Sequence, residues 1–154
     1  MPIPTADPKV LLKDLIKNNW NAANTSGVTP DFHTGWHNPH SKSEQITFTG
    51  KHETFEGRSG YGAIEGGGGG PVQIVDGKVF VNLWATRDEG AGGANPKKLV
   101  YQFEREVRRI LLANFGSVDT LDYVSILMAN EQPAEGKPLT QRTAITLGYK
   151  WRTT

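Results

Sequence analysis

Two segments of the chain carry apolar residues at the spacing of an amphipathic helix. Asp7-Pro8 opens the first, because aspartate accepts from the free amides of a first turn and proline at the first helical position loses no hydrogen bond. We expect this helix to end near Asn18, and its apolar residues are Val10, Leu11, Leu12, Leu15 and Ile16. Asn95-Pro96 opens the second helix, which we expect to extend to about Asn114. Its apolar stripe consists of Leu99, Val100, Phe103, Val107, Ile110 and Leu111.

Alternation of apolar and polar residues predicts strands in the first half of the chain. Gln45–Thr49 is one short strand, with Ile46 and Phe48 on the same face. Farther along, two alternating runs, 72–75 and 78–85, flank Asp76-Gly77. Because Asp-Gly supplies the positive φ of a tight turn, these runs predict a β-hairpin.

Two longer alternating runs follow the second helix. They cover Tyr123–Asn130 and Leu139–Thr153, and a polar turn at 132–138 joins them. In the last strand the alternation places five residues on one face, namely Thr143, Ile145, Leu147, Tyr149 and Trp151. The order of elements predicts an α+β domain in which two helices pack on a small mixed or antiparallel sheet.

Long glycine-rich loops connect these elements. We expect flexible loops at about 24–43, 57–70 and 87–94. The second ends in five consecutive glycines, whose backbones lose much entropy on ordering, so an outside contact has to hold them. These residues are Gly66, Gly67, Gly68, Gly69 and Gly70. The nearby spacing of Gly60 and Gly62 does not predict a dinucleotide site, because no strong strand precedes it and no helix follows; we expect no cofactor.

Composition limits the classes of protein to consider. The 154 residues suffice for one domain with an ordinary core. The absence of cysteine excludes disulfides and thiolate metal sites. The net charge of +1 gives no reason to expect a nucleic-acid surface. The chain contains neither an apolar run long enough to span a membrane nor a secretion signal at its start, so we expect a soluble protein that acts where it is made.

One cluster in the sequence has the spacing of a metal site. His33, His37 and His40 lie within eight residues and could bind zinc or nickel if the loop folded back on itself. The neighbouring Gly35 and Pro39 leave the geometry undefined, and no carboxylate is placed to orient the imidazoles. A polar loop whose histidines and Trp36 pack together or face a partner is the favoured interpretation.

Two further charged clusters have ordinary explanations. Asp88-Glu89 could act as a carboxylate pair in acid–base chemistry or bind a divalent ion, but adjacent side chains diverge, and a solvated loop or a contact with a neighbouring subunit is favoured. The second helix carries basic residues that could follow a nucleic acid, namely Lys97, Lys98, Arg105, Arg108 and Arg109. Glu104 and Glu106 interrupt them, so a solvated helix face is expected.

The order of elements resembles that of the tail terminator or tail-completion proteins of tailed phages and archaeal tailed viruses. The resemblance rests on the first helix, on the strand Val79-Phe-Val-Asn-Leu-Trp-Ala-Thr, on the Asn95-Pro96 helix with Leu99, and on the two final strands. It covers about residues 7–20 and 71–152. Proteins of that family form a hexameric ring that caps the tail tube and offers a surface to the neck. The family has no catalytic residues to transfer.

With this resemblance, the sequence predicts a virion structural protein and not an enzyme. The expected partners are further copies of the chain in a ring, which we expect to be a hexamer, together with the tail-tube protein and the neck or head-connector protein. We expect no contact with a membrane and no sequence-specific contact with nucleic acid. The expected location is the tail or neck of the virion, and the host cytoplasm during assembly. The interface residues expected are Trp36, Asp88, Glu89 and the five glycines. The alternatives are another neck or tail-tube component, or a small metal-binding module or enzyme that uses His33, His37 and His40.

Overall fold

The structure, a computed structural model, describes residues 7–56, 73–86, 95–114, 121–135 and 140–153. These residues form helices α1 (Pro8–Asn18) and α2 (Pro96–Ala113), a short 3-10 helix (Ala22–Thr25), and strands β1 (Asp31–Thr34), β2 (Gln45–Glu56), β3 (Gln73–Thr86), β4 (Asp122–Glu135) and β5 (Thr140–Thr153). The strands form one sheet in the order β1-β2-β3-β5-β4. β1 is parallel to β2, and the other neighbouring strands are antiparallel. The predicted α+β fold, a mixed sheet with two helices, is confirmed.

Both helices begin at the residues that the sequence predicts. The Asp7 side chain accepts from the Lys9 amide at 2.9 Å, and the Asn95 side chain accepts from the Lys97 amide at 3.0 Å. Each cap satisfies one of the amides that a helix start leaves without an internal partner, and the proline that follows needs none. The predicted stripe of α2 is buried, because all six of its apolar residues are at most 3 % exposed.

The helices cover only one face of the sheet. Alternate residues of the two central strands contribute to the core beneath them, from Val75 to Ala85 on β3 and from Ile145 to Trp151 on β5. Ile46 and Phe48 of β2 join the same core and are fully buried. The face predicted for the last strand is therefore confirmed. The intervening residues point to the opposite side, which we call the open face.

The predicted hairpin at Asp76-Gly77 is wrong. β3 passes through these residues without turning, and Gly77 pairs with Glu53 of β2 on one side and with Tyr149 of β5 on the other. Its local sequence satisfies the rule for a tight turn, but two neighbouring strands hold the backbone extended. The strand β3 is therefore 14 residues long.

Three other elements differ in extent from the prediction. β2 continues seven residues beyond Thr49, to Glu56, with a register shift between Phe48 and Gly50. β4 extends to Glu135, into the segment predicted as a polar turn. The segment 24–43, predicted as a loop, contains β1, which pairs with the first residues of β2. In all three cases backbone pairing with a neighbouring strand places residues in the sheet that the alternation of apolar and polar residues does not predict.

Candidate functional site

The side chains of the open face change in character along the strands. At one end of the sheet, Asp76 and Lys150 are partners across β3 and β5 and form an ion pair of 3.4 Å. In the middle, Phe80, Thr146 and Met128 form a row across β3, β5 and β4. At the other end, Trp84, Arg142 and Gln132 form the corresponding row.

The middle of this face is apolar and exposed. Phe80 is 41 % exposed and Met128 is 60 % exposed. Leu127, 56 % exposed, is the extra residue at a register shift of β4. Its side chain occupies the space above Gly148, where a Cβ would lie 2.7 Å from the Leu127 Cδ1. We call Phe80, Leu127 and Met128 the apolar patch.

The segment after β1 folds across the end of the open face at which Trp84, Arg142 and Gln132 lie. A fully buried glutamine, Gln45, holds it there. Its Nε2 donates to the carbonyl oxygens of Asn38 and Lys42, both at 2.6 Å, and its Oε1 accepts from the Asn38 amide at 2.9 Å. These hydrogen bonds fix the backbone of residues 38–42, and with it the position of the aromatic residues just before them.

Two tryptophans and an arginine pack together under this segment. The rings of Trp36 and Trp84 meet edge to face, with centroids 5.1 Å apart and an angle of 85° between their planes. The Arg142 Cζ lies 5.5 Å from each of the two ring centroids. Arg142 Nη1 donates to Asn82 Oδ1 at 2.9 Å, and Trp84 Nε1 donates to Thr47 Oγ1 at 2.9 Å. The guanidinium is thus held by two ring contacts and one neutral amide.

A pocket of about 300 Å³ opens beside this group. We call it the Trp–Arg pocket, and its lining residues are Trp36, His37, Trp84, Gln132, Pro133, Thr140 and Arg142. Among the described residues that line it there is a guanidinium but no carboxylate. Trp36 is 60 % exposed at its rim, while Trp84 is 9 % exposed.

The three histidines of the predicted metal cluster have different surroundings. His33 Nε2 lies 3.0 Å from Ser41 Oγ, and the ring of His37 packs on Trp84 with a centroid distance of 4.9 Å. His40 is exposed. No group of three or more candidate metal ligands occurs among the described residues. The interpretation of this segment as packed polar loop, with Trp36 and a histidine in contact with Trp84, fits these positions.

The arrangement around Ser41 does not activate the hydroxyl. Ser41 Oγ donates to Asp31 Oδ2, because a carboxylate oxygen only accepts. His33 Nε2 must then carry the proton and donate to Ser41 Oγ, so it cannot withdraw a proton from it. The hydrogen bond from Ser41 is the main cause that lowers the pKa of Asp31. Burial, and to a lesser extent His33, lowers the pKa of His37, whose ring is therefore neutral at pH 7.

The other predicted residues lie either outside the described part of the chain or on α2. The five glycines Gly66–Gly70, and Asp88 and Glu89, lie outside the described residues, as do the predicted loops 57–70 and 87–94. The basic residues of α2 are largely exposed, although Arg109 pairs with Glu106 and Lys97 lies 3.3 Å from Glu131. Neither described helix is long and apolar enough to cross a membrane.

Sequence reasoning missed most of the open face. The alternation of β5 places Arg142 on the face opposite its core residues, but nothing local in the sequence indicates that the guanidinium meets two tryptophans. The apolar patch was also missed, because Phe80 and Met128 belong to alternating runs in which either face could have been the buried one. Trp36, predicted as an interface residue, is exposed at the rim of the pocket. No protein-family model matches the chain, and no curated protein matches it significantly.

Proposed function

We propose that this protein is a structural subunit of a virion that forms a ring with copies of itself, ends growth of the tail tube and joins the tail to the neck. The observation that carries the proposal is the apolar patch on the open face. All three residues are between 41 % and 60 % exposed: Phe80 and Met128 lie on either side of Thr146 of β5, and Leu127 lies over Gly148, the next residue of β5 on this face. Contiguous exposed apolar surface on a small domain favours a contact with another protein.

The fold itself gives a reason for this clustering. The two helices lie on one side of the sheet, so the open face is covered, among the described residues, only by the segment around Trp36 and Gln45. An antiparallel sheet with one solvated face usually carries polar side chains there. A phenylalanine, a leucine and a methionine at those positions therefore indicate a surface that is buried in an assembly.

The order of elements supports the more specific part of the proposal. Helix, strands, Asn-Pro-capped helix and two long final strands stand in the order that resembles tail terminators. The same order is compatible with another neck or tail-tube component. A ring requires two different surfaces on each subunit, and the open face supplies one of them.

Self-association of the purified chain tests the proposal. We expect wild-type protein to sediment as a closed oligomer and to appear as rings by negative-stain electron microscopy. Leu127→Lys and Met128→Lys place a charge in the apolar patch and should shift the protein towards monomer. Leu112→Lys is the matched control, because Leu112 is 71 % exposed on α2, away from the open face, and should leave the oligomer intact. A monomeric wild type at high concentration, or equal effects of the three variants, would contradict the proposal.

A second experiment addresses the tail itself. The tail-tube protein encoded near this gene, if one is present, should polymerise to shorter tubes when this protein is added, and the protein should be found at one end of each tube. Tubes of unchanged length would be compatible with a ring-forming subunit but would exclude a role in ending growth of the tail tube. Neighbouring genes for a portal, a tail tube and a tape measure would support the assignment independently.

A further inference from the structure

The Trp–Arg pocket contains a cation without an acidic partner among the described residues. Arg142 makes ring contacts with Trp36 and Trp84, and its Nη1 donates to the neutral amide of Asn82. No described carboxylate lies within 4.0 Å of it, although Lys51, Lys97, Arg109 and Lys150 all have such partners. A guanidinium has five N–H donors, so most of its donor capacity remains for a ligand.

The surroundings of Arg142 suit a planar acceptor. Two indole rings restrict the guanidinium, which reduces the entropy lost when it binds. A carboxylate matches the planar fork of an arginine and can accept two parallel hydrogen bonds from it. More than half of the Trp36 surface is exposed at the rim of the pocket, and it offers an apolar surface for the aliphatic part of the molecule that carries the carboxylate. The pocket is also preformed, since Gln45 fixes the backbone that follows His37.

We propose that the Trp–Arg pocket binds an aspartate or glutamate side chain on a peptide segment of a different protein. The carboxylate would bind the Arg142 guanidinium, and residues next to it would pack on Trp36. This inference goes beyond the proposed function, because it names the chemistry of a partner and does not require that the chain form a ring.

The open face of a second copy is a poorer source of the carboxylate. Among the described side chains of that face, the carboxylates are those of Asp76, which pairs with Lys150 at 3.4 Å, and Asp31, which accepts from Ser41 Oγ. A nucleic-acid backbone is also less favourable. The described lining of the pocket supplies one guanidinium, while Lys78 and Lys150 lie at the other end of the sheet, six or more residues along the strands and thus roughly 20 Å away. A phosphate chain needs several cations along its path.

The test uses two bead-bound libraries of seven-residue peptides that differ only at the central residue, which is Glu in one and Gln in the other. The outer positions exclude acidic residues, and the intact, fluorescently labelled protein is the probe. We expect wild-type protein to favour the Glu library by about tenfold, as a charged hydrogen-bonded pair does over a neutral one. Arg142→Gln should reduce the ratio to about one, and Trp36→Ala should lower retention on both libraries.

The controls separate specific binding from charge and from misfolding. Lys78→Gln removes an exposed cation from the same face and should keep the wild-type ratio. Thermal midpoints identify any variant that fails to fold, and Arg142→Lys, which retains the charge but loses the planar fork, should lower the ratio if Arg142→Gln is unfolded. Wild-type protein that shows no preference for the Glu library would overturn the proposal. So would a preference that survives in folded Arg142→Gln. If Arg142→Gln does not fold, a preference that survives in Arg142→Lys would overturn it.

Two further measurements exclude the other occupants. Sedimentation of the wild type and of Arg142→Gln shows whether a second copy fills the pocket, and self-association that requires Arg142 would overturn the assignment to a different protein. Binding of a labelled 20-nucleotide oligothymidine that is lost in Arg142→Gln would overturn it in favour of nucleic acid. If the Glu preference is absent while the apolar-patch variants still abolish ring formation, the inference fails and the proposed function stands.

Discussion

The ring of Tyr149 lies directly over Gly77. A Cβ built on that glycine would lie 2.0 Å from the Tyr149 Cζ, much closer than any real contact. The two residues are partners in the β3–β5 ladder, and the hydroxyl of Tyr149 reaches past the glycine to donate to Glu53 Oε1 at 2.6 Å. Burial and, to a lesser extent, Glu53 raise the pKa of Tyr149 well above its usual value. Glycine is therefore required at position 77 to make room for the ring.

Replacement of this glycine should be costly. Gly77→Ala forces the buried Tyr149 ring out of its position and should lower the free energy of unfolding by ~1–3 kcal/mol, the usual range for an overpacked core. Gly50→Ala is the control, because a Cβ at Gly50 of β2 meets no atom within 4 Å. Urea unfolding measures both variants. Equal stabilities of the two variants would mean that Tyr149 moves aside at little cost.

The same pair explains where prediction from sequence fails. Asp76-Gly77 has the residues of a hairpin turn, and no nearby residue argues against one. The ring that occupies the space above the glycine comes from Tyr149, 72 positions later in the chain. A rule that considers four adjacent residues cannot include that contact. In contrast, α2 and β5 were predicted well, because their apolar residues follow a single period along the whole element and are buried on one side only.

The candidate site, too, could be predicted from the sequence only in part. Trp36 could be singled out because a tryptophan in a polar loop is unusual. Arg142, Trp84 and Gln45 meet only because β2, β3 and β5 lie side by side, and the register of those strands is not evident from their separate sequences. Glu106 illustrates the opposite error, since the sequence places it among the charged residues of an expected solvated helix face, yet Glu106 is 1 % exposed.

The centre of the core lies under α2. Phe103 is fully buried, and its ring meets Trp20 edge to face at a centroid distance of 5.6 Å. Phe103→Ala leaves a cavity and should lower the free energy of unfolding by ~3–5 kcal/mol, enough to unfold a marginally stable domain. Leu112→Ala on the exposed side of the same helix should cost well under ~1 kcal/mol. Thermal unfolding distinguishes them, and two equally mild effects would show that the buried face of α2 is wrongly assigned.

Metal content tests the remaining role of the histidines. Because His33 is hydrogen-bonded to Ser41 and His37 packs on Trp84, we expect protein purified without a histidine tag to contain far less than one equivalent of zinc or nickel by elemental analysis. Replacing His33, His37 and His40 with glutamine should leave the thermal midpoint within a few degrees. Near-stoichiometric metal that disappears in the triple variant would support the metal-binding alternative.

Glu106 ties α2 to the segment that follows α1. Its carboxylate accepts from the Asn21 amide at 2.7 Å, from Asn24 Nδ2 at 3.1 Å and from Arg109 Nη2 at 3.1 Å. Arg109 in turn donates to the carbonyl oxygen of Asn19 at 2.9 Å. Glu106→Gln keeps the shape but loses the charge, and should lower the free energy of unfolding by ~1.5–3 kcal/mol, as for hydrogen bonds to charged groups. Glu104→Gln, two residues earlier on α2, is the control and should have little effect.

The cost of Glu106→Gln should depend on pH in a defined direction. Burial alone would raise the pKa of Glu106, but the hydrogen bonds from Arg109, Asn21 and Asn24 outweigh it, so the folded-state pKa lies below the ordinary 4.5. The unfolded state then binds the proton more readily than the folded state as the pH falls. The stabilisation is therefore complete above about pH 5 and is lost as the pH falls from 4.5 through the folded-state pKa. Urea unfolding of the wild type and of Glu106→Gln between pH 7 and pH 3 should show two stabilities that converge at acidic pH. A difference that stays constant over this range would mean that the carboxylate is not charged in the folded protein, or that shape and not charge holds the contact.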